Sequence, residues 1–281
     1  MGHTVSKLCS KCFKSEEENP IYQEQEMKET LISESFSINS SISIPKNISA
    51  SYELSETTSS SSENLNQEHI LRLLIEKATQ EFLDHLYAPL QEEGCQELVN
   101  KDGFLVYGKE LPDAVLIKAS WLTPYTVDQY KIVMEDINNR TTWDRSLESV
   151  EFVSTIPPDI YITYSKFKKM PMISSRDMVL VSRLIKLQKG VLLIDTSCEH
   201  PDYPPTDKFV RATLPVNGYY IEPIDKDDQG NINKVINITI VNFGGKLPKS
   251  LIKTKYGKHV PSLIKRMHGE IMKITEKSPY N

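Results

Sequence analysis

Long apolar runs are missing from this sequence. No stretch approaches the roughly 20 apolar residues that a membrane-spanning helix needs, and the N-terminus lacks the continuous apolar core of a secretory signal. We therefore expect a protein of the cytosolic side. An excess of positive charge is missing as well. The formal net charge is −5, which argues against a nucleic-acid binder because such surfaces are normally strongly basic.

Cysteines and catalytic patterns are also sparse. Four cysteines are too few and too scattered for a disulfide framework, so Cys95 and Cys198 are interpreted as reduced thiols. Cys9 and Cys12 form a Cys-x-x-Cys pair, but a zinc or redox site would need a second pair, which the sequence does not contain. We find no nucleophile with its base, no metal-spaced histidine cluster and no glycine-rich phosphate loop. Neither an enzyme nor a cofactor is expected.

The chain divides into unequal parts. Residues 15–66 are rich in Ser, Glu and Asn and show no sustained periodicity, which predicts a disordered linker. The apolar alternation at Ile42, Ile44 and Ile48 is compatible with a strand, although a linker explains it more simply. A folded domain is predicted over residues 67–276.

Beyond residue 67 the periodicity is first helical, then mainly β, then helical again. A first helix is predicted over 67–87 and a second over 127–139, with Ile132, Val133 and Ile137 inward. The residues at helical spacing in the first are Ile70, Leu73, Leu74, Lys77, Ala78, Phe82 and Leu86. Strands are predicted at 104–109, 114–121, 148–155, 159–167, 177–187, 191–199, 210–223 and 233–241. Successive strands with short turns imply an antiparallel sheet with helices at both ends, so the fold class is α+β.

The closing helical region is predicted over 248–274. Its apolar stripe consists of Leu263, Ile264, Met267, Ile271 and Ile274. Gly257 and Pro261 come before this stripe and predict that the helix is interrupted or kinked there.

Six short segments of this region occur in a recognisable order. They are KMPMISSRD at 169–177, EHPDYPP at 199–205, FVRA at 209–212, GYYIEP at 218–223, FGGKLP at 243–248 and HVPSLI at 259–264. In this order and at these spacings they resemble the START domain, the family of the steroidogenic acute regulatory protein, over about residues 70–274. The segment RTTWD at 140–144 is similar to the phosphatidylcholine-transferring members of that family.

The resemblance implies a helix-grip fold, in which a curved antiparallel sheet wraps a long C-terminal helix around an internal lipid tunnel. It implies a monomeric carrier that holds one lipid, here a phospholipid, and transfers it between membranes. A lipid sensor and a carrier of sterol or another lipid are the alternatives. Burial of acyl chains is favourable by roughly 0.8 kcal/mol per methylene, so such a tunnel is expected to be filled.

The resemblance also assigns individual residues. Arg140 is expected to bind the lipid phosphate while Asp144, four residues later, holds its guanidinium; without the resemblance the two would be a surface ion pair beside Trp143. Residues expected to line or gate the tunnel are Trp143, Thr163, Ser165, Met178, Leu263, Met267 and Ile271. Thr163, Ser165 and Met178 replace the aromatic cage of choline-binding relatives, and Ser165 and Ser182 replace the acid–arginine pair of sterol-binding ones. Residues expected to be architectural are Arg176, Asp177, His200, Pro201, Arg211, Gly244 and Gly245.

Both ends of the chain suggest contact with membranes. The N-terminal sequence MGHTVS fits N-myristoylation of Gly2, and Cys9 and Cys12 among nearby lysines are candidates for palmitoylation, so residues 1–14 are interpreted as a lipidated anchor. Residues 246–281 carry nine basic and two acidic side chains, a net charge of +7. This charge fits an anionic bilayer and a solvated helix face equally well. The expected location is the cytoplasmic face of a membrane.

Overall fold

A computed structural model describes residues 59–89, 94–170, 173–227 and 230–276. Its helices are α1 (Ser59–Tyr87), α2 (Val127–Glu135), α3 (Arg140–Trp143) and α4 (Lys249–Glu276). Its strands are β1 (Gln96–Lys101), β2 (Phe104–Glu110), β3 (Val115–Thr123), β4 (Leu147–Ile156), β5 (Ile160–Phe167), β6 (Arg176–Lys186), β7 (Val191–Ser197), β8 (Val210–Arg211), β9 (Thr213–Asp227) and β10 (Gly230–Asn242). Gly2, Cys9, Cys12 and the predicted linker as far as residue 58 lie outside the described residues. Within the described ranges, no helix combines the length and apolarity needed to cross a bilayer.

The strands form one curved sheet in the order β1-β2-β3-β10-β9-β7-β6-β5-β4. Neighbours in this order pair antiparallel, and the two-residue strand β8 adds a parallel contact to β6. The pairing of β3 with β10 joins the first strands of the domain to the last one. The predicted α+β class and antiparallel sheet are therefore confirmed.

The sheet has a different helix on each face. Because successive strand residues point to opposite faces, the apolar residues of each strand divide into two clusters. The outer cluster joins the sheet to α1 through Leu71, Ile75, Ala78, Phe82 and Leu83. The inner cluster joins it to α4 through Val260, Ile264, Met267 and Ile271.

Two close contacts fix α1 on the outer face. The Lys118 side chain is buried, and its Nζ donates hydrogen bonds to the carbonyl oxygens of His85 (2.6 Å) and Ala88 (2.9 Å). These carbonyls lie at the end of α1, where backbone acceptors lack partners within the helix, and the ammonium also suits the negative end of the helix dipole. Further along α1, the Phe82 ring lies directly on the bare backbone of Gly218 in β9.

Several predicted details of the helices are wrong. Ala78 and Phe82 of the predicted stripe are buried, but Ile70 and Leu73 are 49% and 48% exposed. At that part of α1, Leu71 and Ile75 point inward instead. Ile132 is 52% exposed because α2 buries Tyr130, Val133 and Met134. Helix α1 also begins at Ser59, ahead of the predicted start at residue 67.

Helix α4 is not interrupted. It runs from Lys249 to Glu276 with Pro261 inside it, so the predicted interruption is wrong. Gly257 serves a packing role: a Cβ there would lie 2.3 Å from Leu98 Cδ1. The missing side chain therefore lets α4 approach β1 closely, and β1 is a strand that the sequence did not predict.

Candidate functional site

A row of polar side chains crosses the inner face of the sheet. Direct cross-strand neighbours run from β5 to β10 as Tyr161, Ser182, Asp195, Asn217 and Thr239. They alternate along their strands with residues of the outer cluster, so they point toward the side on which α4 packs. We call these five residues the polar strip.

Hydrogen bonds connect one half of the polar strip. Asn217 Nδ2 donates to Asp195 Oδ2 (2.8 Å), and Thr239 Oγ1 donates to Asn217 Oδ1 (2.8 Å). Asn237, on the same face of β10, donates from Nδ2 to the carbonyl oxygen of Gly218 (2.9 Å). Asp195, Asn217, Asn237 and Thr239 are each at least nine-tenths buried. Such buried groups need partners, because an unpaired polar atom away from water is costly.

An aspartate oxygen of the polar strip is left unused. Within the described residues, Asp195 Oδ1 has no hydrogen-bond partner, although the side chain is only 8% exposed. Burial raises the pKa of Tyr161, and the nearby charge of Asp195 raises it further. The interior therefore offers a fixed carboxylate oxygen and a neutral phenol to a ligand that carries hydrogen-bond donors.

Arg140 lies at the start of α3 and faces the same interior. Its Nη1 donates to the carbonyl oxygen of Met134 (3.2 Å) at the end of α2, and its guanidinium lies 4.5 Å from the ring centroid of Trp143. No other described residue accepts from the remaining guanidinium donors. Burial raises the pKa values of Tyr219 and Tyr256, and the positive charge of Arg140 opposes this effect at both. The guanidinium is thus positioned but only partly hydrogen-bonded.

Asp144 does not hold Arg140, so that part of the predicted site is wrong. Asp144 Oδ1 accepts from the backbone N–H (3.1 Å) and the hydroxyl of Ser146, and no described ion pair joins it to Arg140. An i, i+4 pair requires both residues on one helix, whereas α3 ends at Trp143 and Asp144 has φ −89° and ψ 86°. Its charge still acts on the interior, since it contributes to the raised pKa of Tyr256.

The other predicted lining residues fall into separate groups. Thr163, Ser165 and Met178 are buried on the inner face of β5 and β6, beyond the Tyr161 end of the polar strip. Met267 and Ile271 are buried where α4 packs on the sheet, together with Trp143. Leu263 is only partly buried beside that cluster.

A cavity of about 750 Å³ lies between α2 and the ends of β4, β5 and β6. We call it the α2 groove. Its lining residues are Lys131, Glu135, Ile137, Phe152, Thr155, Pro158, Asp159, Ile160, Tyr161, Arg183, Leu184, Ile185 and Lys186. Tyr161 belongs both to this lining and to the polar strip, so the groove borders the inner face of the sheet.

The C-terminal half of α4 is joined to α2 and α3 by polar contacts. His268 Nε2 lies 2.5 Å from Tyr130 Oη, Gln129 Nε2 donates to Thr275 Oγ1 (2.9 Å), and Arg266 Nε donates to the carbonyl oxygen of Trp143 (2.8 Å). Burial lowers the pKa of His268 to about 4 and raises that of Tyr130 to about 12. Both rings are therefore neutral at pH 7.

Two of the residues expected to be architectural, Asp177 and Arg211, form an ion pair away from the polar strip. Arg211 donates two hydrogen bonds of 2.9 Å to the carboxylate of Asp177, which also accepts from Tyr164 Oη (3.0 Å). Burial acts to raise the pKa of Asp177, but the hydrogen bonds from Arg211 and Tyr164 outweigh it and hold the pKa below its usual range. The ion pair ties β6 to β8.

Four polar residues of the inner face were not identified from the sequence. They are Asp195, Asn217, Asn237 and Thr239. Asparagine and aspartate are depleted in strands, so three of them within strongly apolar strands carried a weak signal. Their grouping depends on cross-strand register, which the sequence does not display.

Comparison with known proteins identifies this arrangement. The profile of the START domain matches residues 74–277. The chain belongs to the START domain family. The sheet wrapped around α4 is accordingly the helix-grip fold, and the polar strip lies on the concave side of a START domain.

Two sequences and one structure illustrate the similarity. Human START domain-containing protein 10 is 23% identical over 145 residues, which are 51% of this chain and 48% of that protein. Ceramide transfer protein of Xenopus laevis is 22% identical over 241 residues, which are 76% of this chain and 38% of that protein. The structure of human StAR-related lipid transfer protein 5 aligns with a TM-score of 0.65 at 15% identity, covering 74% of this chain and 99% of that one. This chain spans about half or less of the length of the two sequence relatives. Membership of the START family supports binding and transport of a lipid, and leaves open which lipid.

Proposed function

We propose that this START domain carries a single phospholipid between membranes and that Arg140 binds the lipid phosphate. The supporting observation is the guanidinium of Arg140, which is held by Met134 and Trp143 while its other donors have no partner among the described residues. A guanidinium can donate two parallel hydrogen bonds to a phosphate. The acyl chains then lie between the apolar part of the sheet and α4, and no catalytic step or cofactor is involved.

The first test is phospholipid transfer between vesicles by an Arg140→Leu variant. We expect most transfer to be lost, because a phosphate taken from water without a cationic partner costs several kcal/mol, on the order of a hundredfold or more in affinity. Arg140→Lys should recover only part, since an ammonium lacks the planar fork.

Arg145 supplies the matched control. It is exposed and lies just beyond the same short helix, so Arg145→Leu removes an equal charge without touching the interior. Circular dichroism must show that both variants fold. Equal transfer by Arg140→Leu and Arg145→Leu would show that the phosphate assignment is wrong.

A second cargo class is favoured by the polar strip. The unused Oδ1 of Asp195 is an acceptor, and a phosphate offers it nothing to accept, whereas hydroxyl and amide groups of a ceramide are donors. One relative of this chain is a ceramide transfer protein. Mass spectrometry of co-purified lipid and ceramide transfer by Asp195→Ala distinguish the two. If ceramide is found and transfer depends on Asp195 but not on Arg140, the phospholipid proposal fails.

The chain is further proposed to work as a monomer at the cytoplasmic face of a membrane. Acylation of Gly2 with Cys9 or Cys12 is the proposed anchor, and one myristoyl chain alone binds only marginally. The charge of +7 over residues 246–281 supports attraction of the domain to anionic lipid. A sensor that binds lipid without delivering it differs in one result: it takes up lipid but moves none between vesicles.

A further inference from the structure

The α2 groove is bordered by exposed apolar side chains. Phe152 lines the groove from the edge strand β4 and is 52% exposed. Ile132, also 52% exposed, is the neighbour of the lining residue Lys131 on α2. Single exposed apolar residues are common on protein surfaces, but these two stand on the two elements that border one opening.

The same border carries two exposed lysines. Lys131 and Lys186 line the groove and are exposed, and neither makes a hydrogen bond or ion pair with a described residue. By contrast, Arg183 is paired with Asp159 at 2.9 Å. The carboxylate of Glu135 is a negative group beside them: burial raises its pKa, and the charge of Lys131 opposes that effect. Exposed lysines beside apolar side chains suit a surface of lipid headgroups above an apolar layer.

The groove borders the interior of the domain. Tyr161 lines the groove and begins the polar strip, and Leu184 lines it from the inner face of β6. A lipid that leaves a bilayer cannot cross water cheaply, because each exposed methylene is unfavourable. The opening through which it passes must therefore touch the bilayer.

We propose that the α2 groove is the entry port for the lipid and that its rim, formed by Ile132, Phe152, Lys131 and Lys186, docks on a bilayer containing anionic phospholipid. The inference rests on the proposed lipid-carrying function and names the membrane-contacting surface of that site. Phe152 and Ile132 enter the edge of the acyl layer, and the two lysines bind headgroup phosphates. Each apolar side chain then contributes roughly tenfold or more to vesicle binding.

The test compares two double variants of the full chain, produced without acylation so that the N-terminal anchor cannot mask the rim. The rim variant is Ile132→Glu with Phe152→Glu. The control is Ile70→Glu with Leu73→Glu, which changes two side chains of nearly equal exposure, 49% and 48%, on the helix that packs against the opposite face of the sheet. Vesicles of phosphatidylcholine with and without phosphatidylserine are used for co-sedimentation and for lipid transfer.

We expect the rim variant to lose roughly tenfold or more in vesicle binding and transfer rate, and the control to keep both. Lys131→Gln with Lys186→Gln should abolish the added binding that phosphatidylserine provides. Uptake of a fluorescent phospholipid from cyclodextrin, which needs no bilayer, should be unchanged in the rim variant.

Three results separate the possibilities. Equal vesicle binding by the rim and control variants would show that the rim of the α2 groove does not dock on the bilayer. Met170 lies in the loop between β5 and β6. If Met170→Glu loses vesicle binding and transfer while the rim variant keeps both, the α2 groove is not the entry port, because the lipid then enters elsewhere. Absence of uptake from cyclodextrin by the unmodified chain overturns the proposed function itself.

Discussion

Gly218→Ala tests whether α1 packs against β9 as closely as the structure indicates. A Cβ at this position would lie 2.5 Å from both Cδ2 and Cε2 of Phe82 and 3.2 Å from Leu192 Cδ1. Ordinary contacts between carbon atoms are about 3.5–4.0 Å. Phe82 is fully buried, so its ring cannot swing into solvent. We expect the free energy of unfolding to fall by about 1–3 kcal/mol, the usual range for overpacking a core.

Urea unfolding followed by circular dichroism measures this change. Gly269→Ala is the matched control, because nothing lies within 4 Å of the added Cβ and the residue is inside α4. That variant should be unchanged or stabilised by up to about 1 kcal/mol, since alanine favours helix over glycine.

A double variant makes the test specific to one contact. Phe82→Leu shortens the ring side chain, so Gly218→Ala should cost less in its presence than alone, by about 1 kcal/mol or more. Strict additivity of the two changes, or equal stability of Gly218→Ala and Gly269→Ala, would refute the close contact between Phe82 and Gly218.

Three further predictions concern pH, the N-terminus and the end of α1. Burial holds the pKa of His268 at about 4 rather than 6.5, so the unfolded chain takes up a proton at this histidine before the folded chain does. The free energy of unfolding should therefore be highest above pH 6.5 and fall by about 3 kcal/mol as the pH is lowered toward 4. His268→Gln should remove this dependence in acid titrations. Gly2→Ala should move the protein from membranes to cytosol in cell fractionation, whereas joint replacement of Cys9 and Cys12 should leave weak, reversible association; an unmoved Gly2 variant excludes the myristoyl anchor. Lys118→Met should destabilise the domain by about 1–3 kcal/mol in urea unfolding, because buried carbonyls at the end of α1 lose their donor; an unchanged midpoint would contradict that role.

Periodicity predicted most elements but not always which side of them is buried. In α1, five of the six positions from Ile70 to Ile75 are apolar, with Arg72 the exception, so more than one face satisfies a helical stripe. The face that carries Leu71 and Ile75 is the one that packs against the sheet. β1 was missed for a related reason: it is an edge strand with mostly exposed side chains, so it lacks the alternation that predicts strands.

The candidate site was predictable only where a single residue lies in a recognisable segment. Arg140 stood out through its similarity to a known segment, and the structure brings it to the interior. The relation of Asp144 to Arg140 was not predictable, because helical spacing applies only if the helix continues, and α3 ends before Asp144. The partnership of Asp195 with Asn217 depends on the pairing of β7 with β9, two strands that are not neighbours in the sequence.

The division of the apolar residues between two faces of one sheet has a consequence for how the protein tolerates change. The cluster under α1 consists of side chains from α1 and the sheet, so it stays complete whatever occupies the concave side. Helices α2 and α4 lie on the other face, where side chains such as Gln129 and Thr275 join them. The side chains that hold α1 on the sheet are thereby separated from those of the concave face, so the two sets can change independently over evolutionary time.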